Sequence, residues 1–348
     1  MTLLEKANWS TKIDKSMMRL SMPATSRRTL LAAGLAAAAL PVASPAKAAI
    51  VNNAVIGSDG WLYAAWDEVR RADPGKMRQV VNVVHQAMAM MRGAGIQVAV
   101  SLTPIKARIY PEFLPADFRT VPDAERRYAM TMQELAKDGT LVPDLATAMA
   151  SMKKAYPGQL LFLKADTHWT AIGAETCAIE LGKAIKAKIQ LPPSPRPGVA
   201  FDQPALYTYE QNDLAELLPG AQQEAYPPQQ YWYRPVKAAG QNALLEDDSA
   251  DVVVIGNSYM QPKFGFANIL SNTLNRPVGL SWKIHRYGPY RTLLGYLESE
   301  NFRRQRPKLI VWNFRESDLE FLPDQSGIWG PNVMPVPKFL ADVKKAVS

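Results

Sequence analysis

Apolar positions in this chain recur at two spacings, and the spacing switches repeatedly from one end to the other. Between Pro74 and Met91 they fall at Val80, Val84, Ala87, Met88 and Met91, which predicts a helix with one buried face. Asp123 to Asp138 is a second helix of this kind. Gln97-Val98-Ala99-Val100-Ser101-Leu102-Thr103-Pro104 is instead a largely apolar run of buried-strand length, and Leu160-Leu161-Phe162-Leu163, Val252-Val253-Val254-Ile255 and Leu309-Ile310-Val311-Trp312 resemble it. Helical spacing returns over Thr170 to Lys188, after Pro262, and over Pro289 to Glu300, with Thr170 placed to cap the first of these. Gly57-Ser58-Asp59-Gly60-Trp61-Leu62-Tyr63 reads as a turn feeding a short aromatic strand. Strands that are apolar throughout, alternating with helices, predict an α/β fold around a mainly parallel central sheet. Sites in such sheets form where loops leave the carboxyl ends of strands.

Residues 190–245 break the alternation. Pro192-Pro193-Ser194-Pro195-Arg196-Pro197 is followed by Tyr207, Tyr209, Tyr226, Tyr231, Trp232 and Tyr233, which reads as a Pro- and aromatic-rich loop insertion. It either packs over the core or forms the rim of a groove whose aromatics stack on sugar rings.

The start of the chain changes the meaning of its charge. Ser26-Arg27-Arg28-Thr29-Leu30-Leu31 leads into an apolar stretch from Leu30 to Leu40 and the small-residue site Ala46-Lys47-Ala48. That layout predicts a twin-arginine signal over residues 1–48, cleaved before Ala49, and hence a periplasmic protein; the apolar stretch is short of the roughly 20 residues that span a bilayer. An uncleaved inner-membrane anchor is the alternative. Residues 1–48 hold seven of the basic and two of the acidic residues, so the formal charge of +8 falls to +3 without them. The remaining basic residues are scattered among acids, which argues against a nucleic-acid partner. The one cysteine, Cys177, lies in an apolar-periodic segment and excludes an intramolecular disulfide.

The chemistry centres on Asp166-Thr167-His168-Trp169-Thr170, which sets a carboxylate two residues from one of only three histidines. On extended backbone, residues two apart share a side. An imidazole beside a carboxylate is held in one tautomer and stabilised as imidazolium, as a general base for a serine nucleophile requires. The serine is Ser258 in Asp251-Val252-Val253-Val254-Ile255-Gly256-Asn257-Ser258-Tyr259, where a buried strand ends in a glycine. Gly256 permits a tight turn, and backbone N–H groups at the start of the next helical segment can hold an oxyanion. The Gly-x-Ser-x-Gly signature of α/β-hydrolases is absent. A metal centre would need a further ligand beside Asp166 and His168. His85, inside a predicted helix, reads as structural, and His285 as a bystander, so no metal and no cofactor are expected.

Asp166-Thr167-His168-Trp169-Thr170 with Gly256-Asn257-Ser258-Tyr259 resembles the SGNH hydrolase-like domain of the alginate O-acetyltransferase family, AlgJ and AlgX type. Gly57 to Tyr63, Thr103-Pro104-Ile105-Lys106, Tyr110-Pro111, Leu114-Pro115 and Asn212-Asp213-Leu214 also resemble it, so the likeness extends over most of residues 50–320. The resemblance implies a single SGNH-like three-layer domain over residues 49–348, of the short kind without a C-terminal carbohydrate-binding module. It implies a triad of Ser258 as nucleophile, His168 as base and Asp166 as orienter, with Gly256, Asn257, Tyr259, Arg286, Tyr287 and Arg315 as candidate oxyanion or groove residues. The implied reaction passes an acetyl group, relayed by a membrane-bound O-acyltransferase, to hydroxyls of an exopolysaccharide through an acetyl-serine, within a polysaccharide secretion complex. The alternatives are a carbohydrate acetylesterase of the same fold, or a non-catalytic polysaccharide-binding or assembly subunit.

Overall fold

A computed structural model describes residues 49–237 and 250–348. The expected export segment, residues 1–48, lies outside the described residues. Strands β1 (Ile50–Val51), β2 (Ala54–Ile56) and β3 (Leu62–Ala64) form a small antiparallel sheet. Helix α1 (Pro74–Gly93), strand β4 (Gln97–Thr103) and helices α2 (Pro122–Ala136), α3 (Leu145–Ala155) and α4 (Ala171–Lys188) follow. A hairpin of β5 (Ala205–Tyr209) and β6 (Gln229–Tyr233) precedes β7 (Val252–Gly256), α5 (Phe266–Leu274) and β8 (Val278–Trp282). Helix α6 (Gly288–Leu297), strand β9 (Leu309–Arg315) and helix α7 (Val336–Val347) complete the order.

Strands β4, β9, β7 and β8 lie side by side in that order, all parallel. Alternation along each strand divides the core into two faces. Ala99, Val252, Val254, Leu309 and Val311 pack with Met149 of α3, Leu181 and Ile185 of α4 and Leu270 of α5. Val98, Val100, Val253, Ile255, Ile310 and Trp312 pack on the other face with Val84 and Met88 of α1, Leu293 of α6 and Phe339 of α7. Burial on both faces is why these strands are apolar throughout, and it gives the expected three-layer α/β architecture. Among the described residues no helix is long and apolar enough to cross a membrane.

One expected strand is absent. Leu161, Phe162 and Leu163 are fully buried, yet the segment turns back on itself: Thr170 N–H donates to Leu161 C=O at 3.0 Å and Leu163 N–H to His168 C=O at 3.1 Å. A chain that closes its backbone hydrogen bonds within so short an excursion does not extend the sheet, so its apolar run marks burial alone. Strand β8 was not expected. It borders only β7, is half-buried throughout, and carries Gly279 and Ser281, which hide the strand signal. Helices α3 and α7 also went unread, although Phe339, Val343 and Val347 repeat at four-residue spacing.

The 190–245 stretch is partly ordered as the β5–β6 hairpin, with Tyr207 opposite Tyr231. Tyr209 and Tyr231 are buried, whereas Leu206 and Trp232 occupy the other face and are exposed. Most of its tyrosines therefore pack inward and do not present a rim of exposed rings.

Candidate active site

The carboxyl end of β7 delivers Ser258. A Cβ on Gly256 would lie 2.6 Å from Met260 Cγ and 2.9 Å from Asn313 Cβ, so the glycine is demanded by the close approach of β9. Its φ is not among the positive ones, so space and not left-handed backbone is what it supplies. Asn257 then caps a single 3-10 turn, Ser258–Met260, by accepting Tyr259 N–H on Oδ1 at 3.0 Å.

Asp166 and His168 come from the excursion between Leu163 and Trp169. They meet through a local turn, not through strand alternation: Asp166 Oδ1 accepts the backbone N–H of His168 at 2.8 Å and its Nδ1–H at 2.6 Å. The far side of the turn is anchored to α4. Thr170 accepts Gly173 N–H and donates to Leu160 C=O, while Trp169, wholly buried, donates Nε1–H to Tyr259 C=O at 2.9 Å and stacks on Phe266. Trp169 thus joins the two motifs as packing.

His168 Nε2 lies 2.8 Å from Ser258 Oγ. With Nδ1–H donated to Asp166, the Nε2 lone pair accepts the serine proton. The ring stacks on Phe264 at 5.5 Å and lies 5.0 Å from Tyr259, so its plane is set from two sides. Asp166 Oδ2 accepts from Tyr209 hydroxyl at 3.2 Å and from Asp213 N–H at 3.1 Å, so four donors converge on this carboxylate. Burial pushes the Asp166 carboxyl up, but the hydrogen bonds and charge of His168 outweigh it and hold it below the usual carboxylate range. Burial and then Asp166 push the Tyr209 phenol up, which keeps it a donor.

Asp213 is the residue that motif reading passed over. Its carboxylate accepts Thr167 N–H at 2.6 Å and the Thr167 hydroxyl at 2.5 Å, and it stands 3.7 Å from His168 Nδ1. Burial, then repulsion from Asp166, pushes its carboxyl up. Its only sequence signal was the Asn212-Asp213-Leu214 likeness. Asp166, His168 and Asp213 offer ligand atoms within 4.8 Å of one another. All four lone-pair positions of Asp166 are taken, and both His168 nitrogens are engaged, so a metal would have to break this chain of hydrogen bonds.

The other candidates separate into three groups. Tyr259 spends every polar group internally, its N–H on Asn257, its hydroxyl on Thr167 C=O and its C=O on Trp169, which makes it a scaffold and not an oxyanion donor. Arg286 and Tyr287 are exposed on the turn His285–Tyr287 after β8, and among the described residues neither bonds to the Asp166, His168 and Ser258 chain. Arg315 is not a groove residue. It is 5% exposed and its guanidinium is consumed by Asp318 and Asp67, with His285 Nε2 at 2.8 Å. His285 belongs to that same network through Asp318. His85 in α1 rests on Leu135 C=O of α2, and Cys177 is buried with its thiol pushed up by burial, both structural.

Residues 54–316 match the family model described as SGNH hydrolase-like domain, acetyltransferase AlgX. The probable alginate O-acetylase AlgJ of Pseudomonas fluorescens is 28% identical over 303 residues, covering 84% of this chain and 73% of that protein. Its counterpart from Pseudomonas aeruginosa PAO1 is 29% identical over 302 residues, covering 78% and 72%. The solved O-acetyltransferase domain of Pseudomonas putida AlgJ superposes with a TM-score of 0.68 at 26% identity, over 84% of this chain and 99% of that one. Pseudomonas aeruginosa AlgX shares the fold, with a TM-score of 0.59 at 17% identity over 83% and 67%. With three quarters of its length inside the family model, and with the fold of the solved AlgJ domain, this chain belongs to the SGNH hydrolase-like acetyltransferase family of AlgX and is an acyltransferase.

Proposed function

We propose that this acyltransferase acetylates hydroxyls of an exported polysaccharide through an acetyl-Ser258 intermediate. One observation carries the mechanism: the unbroken line from Asp166 Oδ1 through His168 to Ser258 Oγ, at 2.6 and 2.8 Å. Ser258 Oγ bonds to the acetyl carbon while its proton passes to His168 Nε2, which returns it to the departing donor group. A sugar hydroxyl then attacks the acetyl carbon and gives its proton to His168; the ester bond to Ser258 breaks and Oγ takes that proton back. Asp166 holds the imidazole in the tautomer that accepts at Nε2 and stabilises the imidazolium formed in each step. With Asn257 Oδ1 fixed on Tyr259 N–H, its carboxamide offers only N–H groups elsewhere, and we assign the oxyanion to these and to Ser258 N–H.

The polysaccharide substrate rests on the alginate O-acetylases named among the relatives. Export by the twin-arginine segment, donor relay by a membrane-bound O-acyltransferase and membership of a secretion complex belong to the same reading. The test incubates residues 49–348 with an acetyl ester and oligosaccharides of several polymers and follows acetylated sugar by mass spectrometry. Parent protein yields sugar ester, and Ser258→Ala and His168→Ala do not; equal yields from the three overturn the triad. Release of free acetate alone, with every acceptor, favours the esterase alternative.

A further inference from the structure

Lys106 is 3% exposed, and its Nζ donates to the carbonyls of Leu163 at 3.1 Å, Lys164 at 3.0 Å and Asp166 at 2.8 Å. An ammonium has three hydrogens, and all three go to one short segment, the excursion that carries Asp166 and His168. Among the described residues no carboxylate comes within ion-pair distance of it; Asp166, Asp213 and Asp67 face it from further off, and the rings of Tyr63 and Trp61 lie 5.3 and 5.8 Å away. Burying a cation without a contacting anion costs several kcal/mol, and burial accordingly pushes this amine down to about 7. A role in packing alone does not account for that cost, since a methionine fills the same volume. The chain reversal turns the three carbonyls toward one point, and only a compact cation satisfies them together.

We propose that Lys106 is a positioning residue for acyl transfer: its ammonium clamps the carbonyls of Leu163, Lys164 and Asp166 and so holds the Asp166 and His168 turn against Ser258. The clamp reaches from the segment after β4 to a turn that lies outside the four-stranded sheet, where Lys164 C=O also accepts Leu62 N–H of β3 at 2.9 Å. It acts through backbone and touches neither donor nor acceptor. This inference rests on the triad reading above.

The experiment follows acetylation of Ser258 by p-nitrophenyl acetate in the parent, Ser258→Ala, Lys106→Met and Lys106→Arg, alongside thermal melting. In the parent, Ser258 Oγ takes the acetyl group, p-nitrophenolate leaves, and the proton passes to His168. Lys106→Met removes a buried charge but also the donor to three carbonyls, so its melting temperature is expected to fall, and rates are compared where both proteins are fully folded. Its kcat is expected to fall about 10²-fold, the usual effect of an ångström-scale misplacement, with KM within about twofold. The acid limb of its pH profile is expected to move to higher pH, because a cation that faces Asp166 and Asp213 is lost. Lys106→Arg keeps the charge, so its acid limb stays at the parent position and its rate exceeds that of Lys106→Met. A Lys106→Met protein with the parent rate and acid limb overturns the proposal, as does one whose rate falls only in step with its stability, or an arginine variant as shifted as the methionine one. Absence of acetyl-Ser258 in the parent defeats the triad reading instead, and the parent and Ser258→Ala controls separate the two failures.

Discussion

Asp166 answers to both the imidazole and the backbone, and its substitutions separate these duties. Asp166→Asn keeps an acceptor for His168 N–H but presents an amide that favours the wrong imidazole tautomer, so acylation of Ser258 is expected to fall on the order of 10⁴-fold with the fold intact. Stopped-flow release of p-nitrophenolate measures this, and a loss under tenfold contradicts the assigned tautomer. Tyr209→Phe removes one of four donors to the same carboxylate; a loss of about 1 kcal/mol, roughly fivefold in rate, is expected. Asp166, His168 and Ser258 were legible because two of them share a short motif and the third follows a glycine at a strand end. Tyr209, Asp213 and Lys106 were not legible as site residues, since each reaches Asp166 from at least 43 positions away and no local pattern encodes that meeting. Arg315 misled for the converse reason, because a strand-end arginine reads the same whether it faces a groove or a buried Asp318.

Between elements, the decisive contact is the one that seats the Asp166 and His168 turn on α4. A Cβ on Gly173 would stand 2.2 Å from Leu161 C=O, so the first turn of α4 lies directly on the base of the excursion. In an open helix, glycine to alanine stabilises by about 1 kcal/mol. Here the sign reverses: Gly173→Ala is expected to destabilise by about 1–3 kcal/mol through overpacking and to slow acylation as Leu161 is displaced. Urea denaturation with the ester assay tests it, and a variant more stable than the parent refutes the seating. The parallel strands β4, β7 and β9 were legible because double-sided burial makes them apolar throughout. That same signal failed at Leu160 to Leu163, where burial comes from a folded-back turn, and at β8, where an edge position tolerates glycine and serine.

Across the whole molecule, buried ion pairs hold the strand-end region together and set its response to acid. Glu316, fully buried after β9, accepts from Arg108 at 2.5 and 2.7 Å and from Arg127 at 3.1 Å; Asp318 is held by Arg315 and His285. Burial pushes both carboxyls up, but these cations outweigh it and leave both below their ordinary values of 4.5 and 3.8. A carboxylate lowered in the folded state stabilises fully above its unfolded pKa and loses that contribution as pH falls through the folded one. Lys106 is protonated in both states at such acidity and adds no slope. The urea midpoint is therefore expected to drop steeply below about pH 4. Glu316→Gln, which leaves the buried Arg127 and the half-buried Arg108 without their shared counter-charge, is expected to cost about 3–5 kcal/mol at neutral pH and to flatten the acid slope, while exposed Glu298→Gln changes neither. A parent with the same midpoint at pH 7 and pH 3 rules this out. Arg108 belongs to the same helical turn as Lys106, Lys106–Ile109, so Glu316 fixes the turn whose lysine grips the carbonyls below His168. Ester turnover in Glu316→Gln should accordingly fall further than its remaining folded fraction explains, and turnover that matches the folded fraction disconnects the ion pairs from the site.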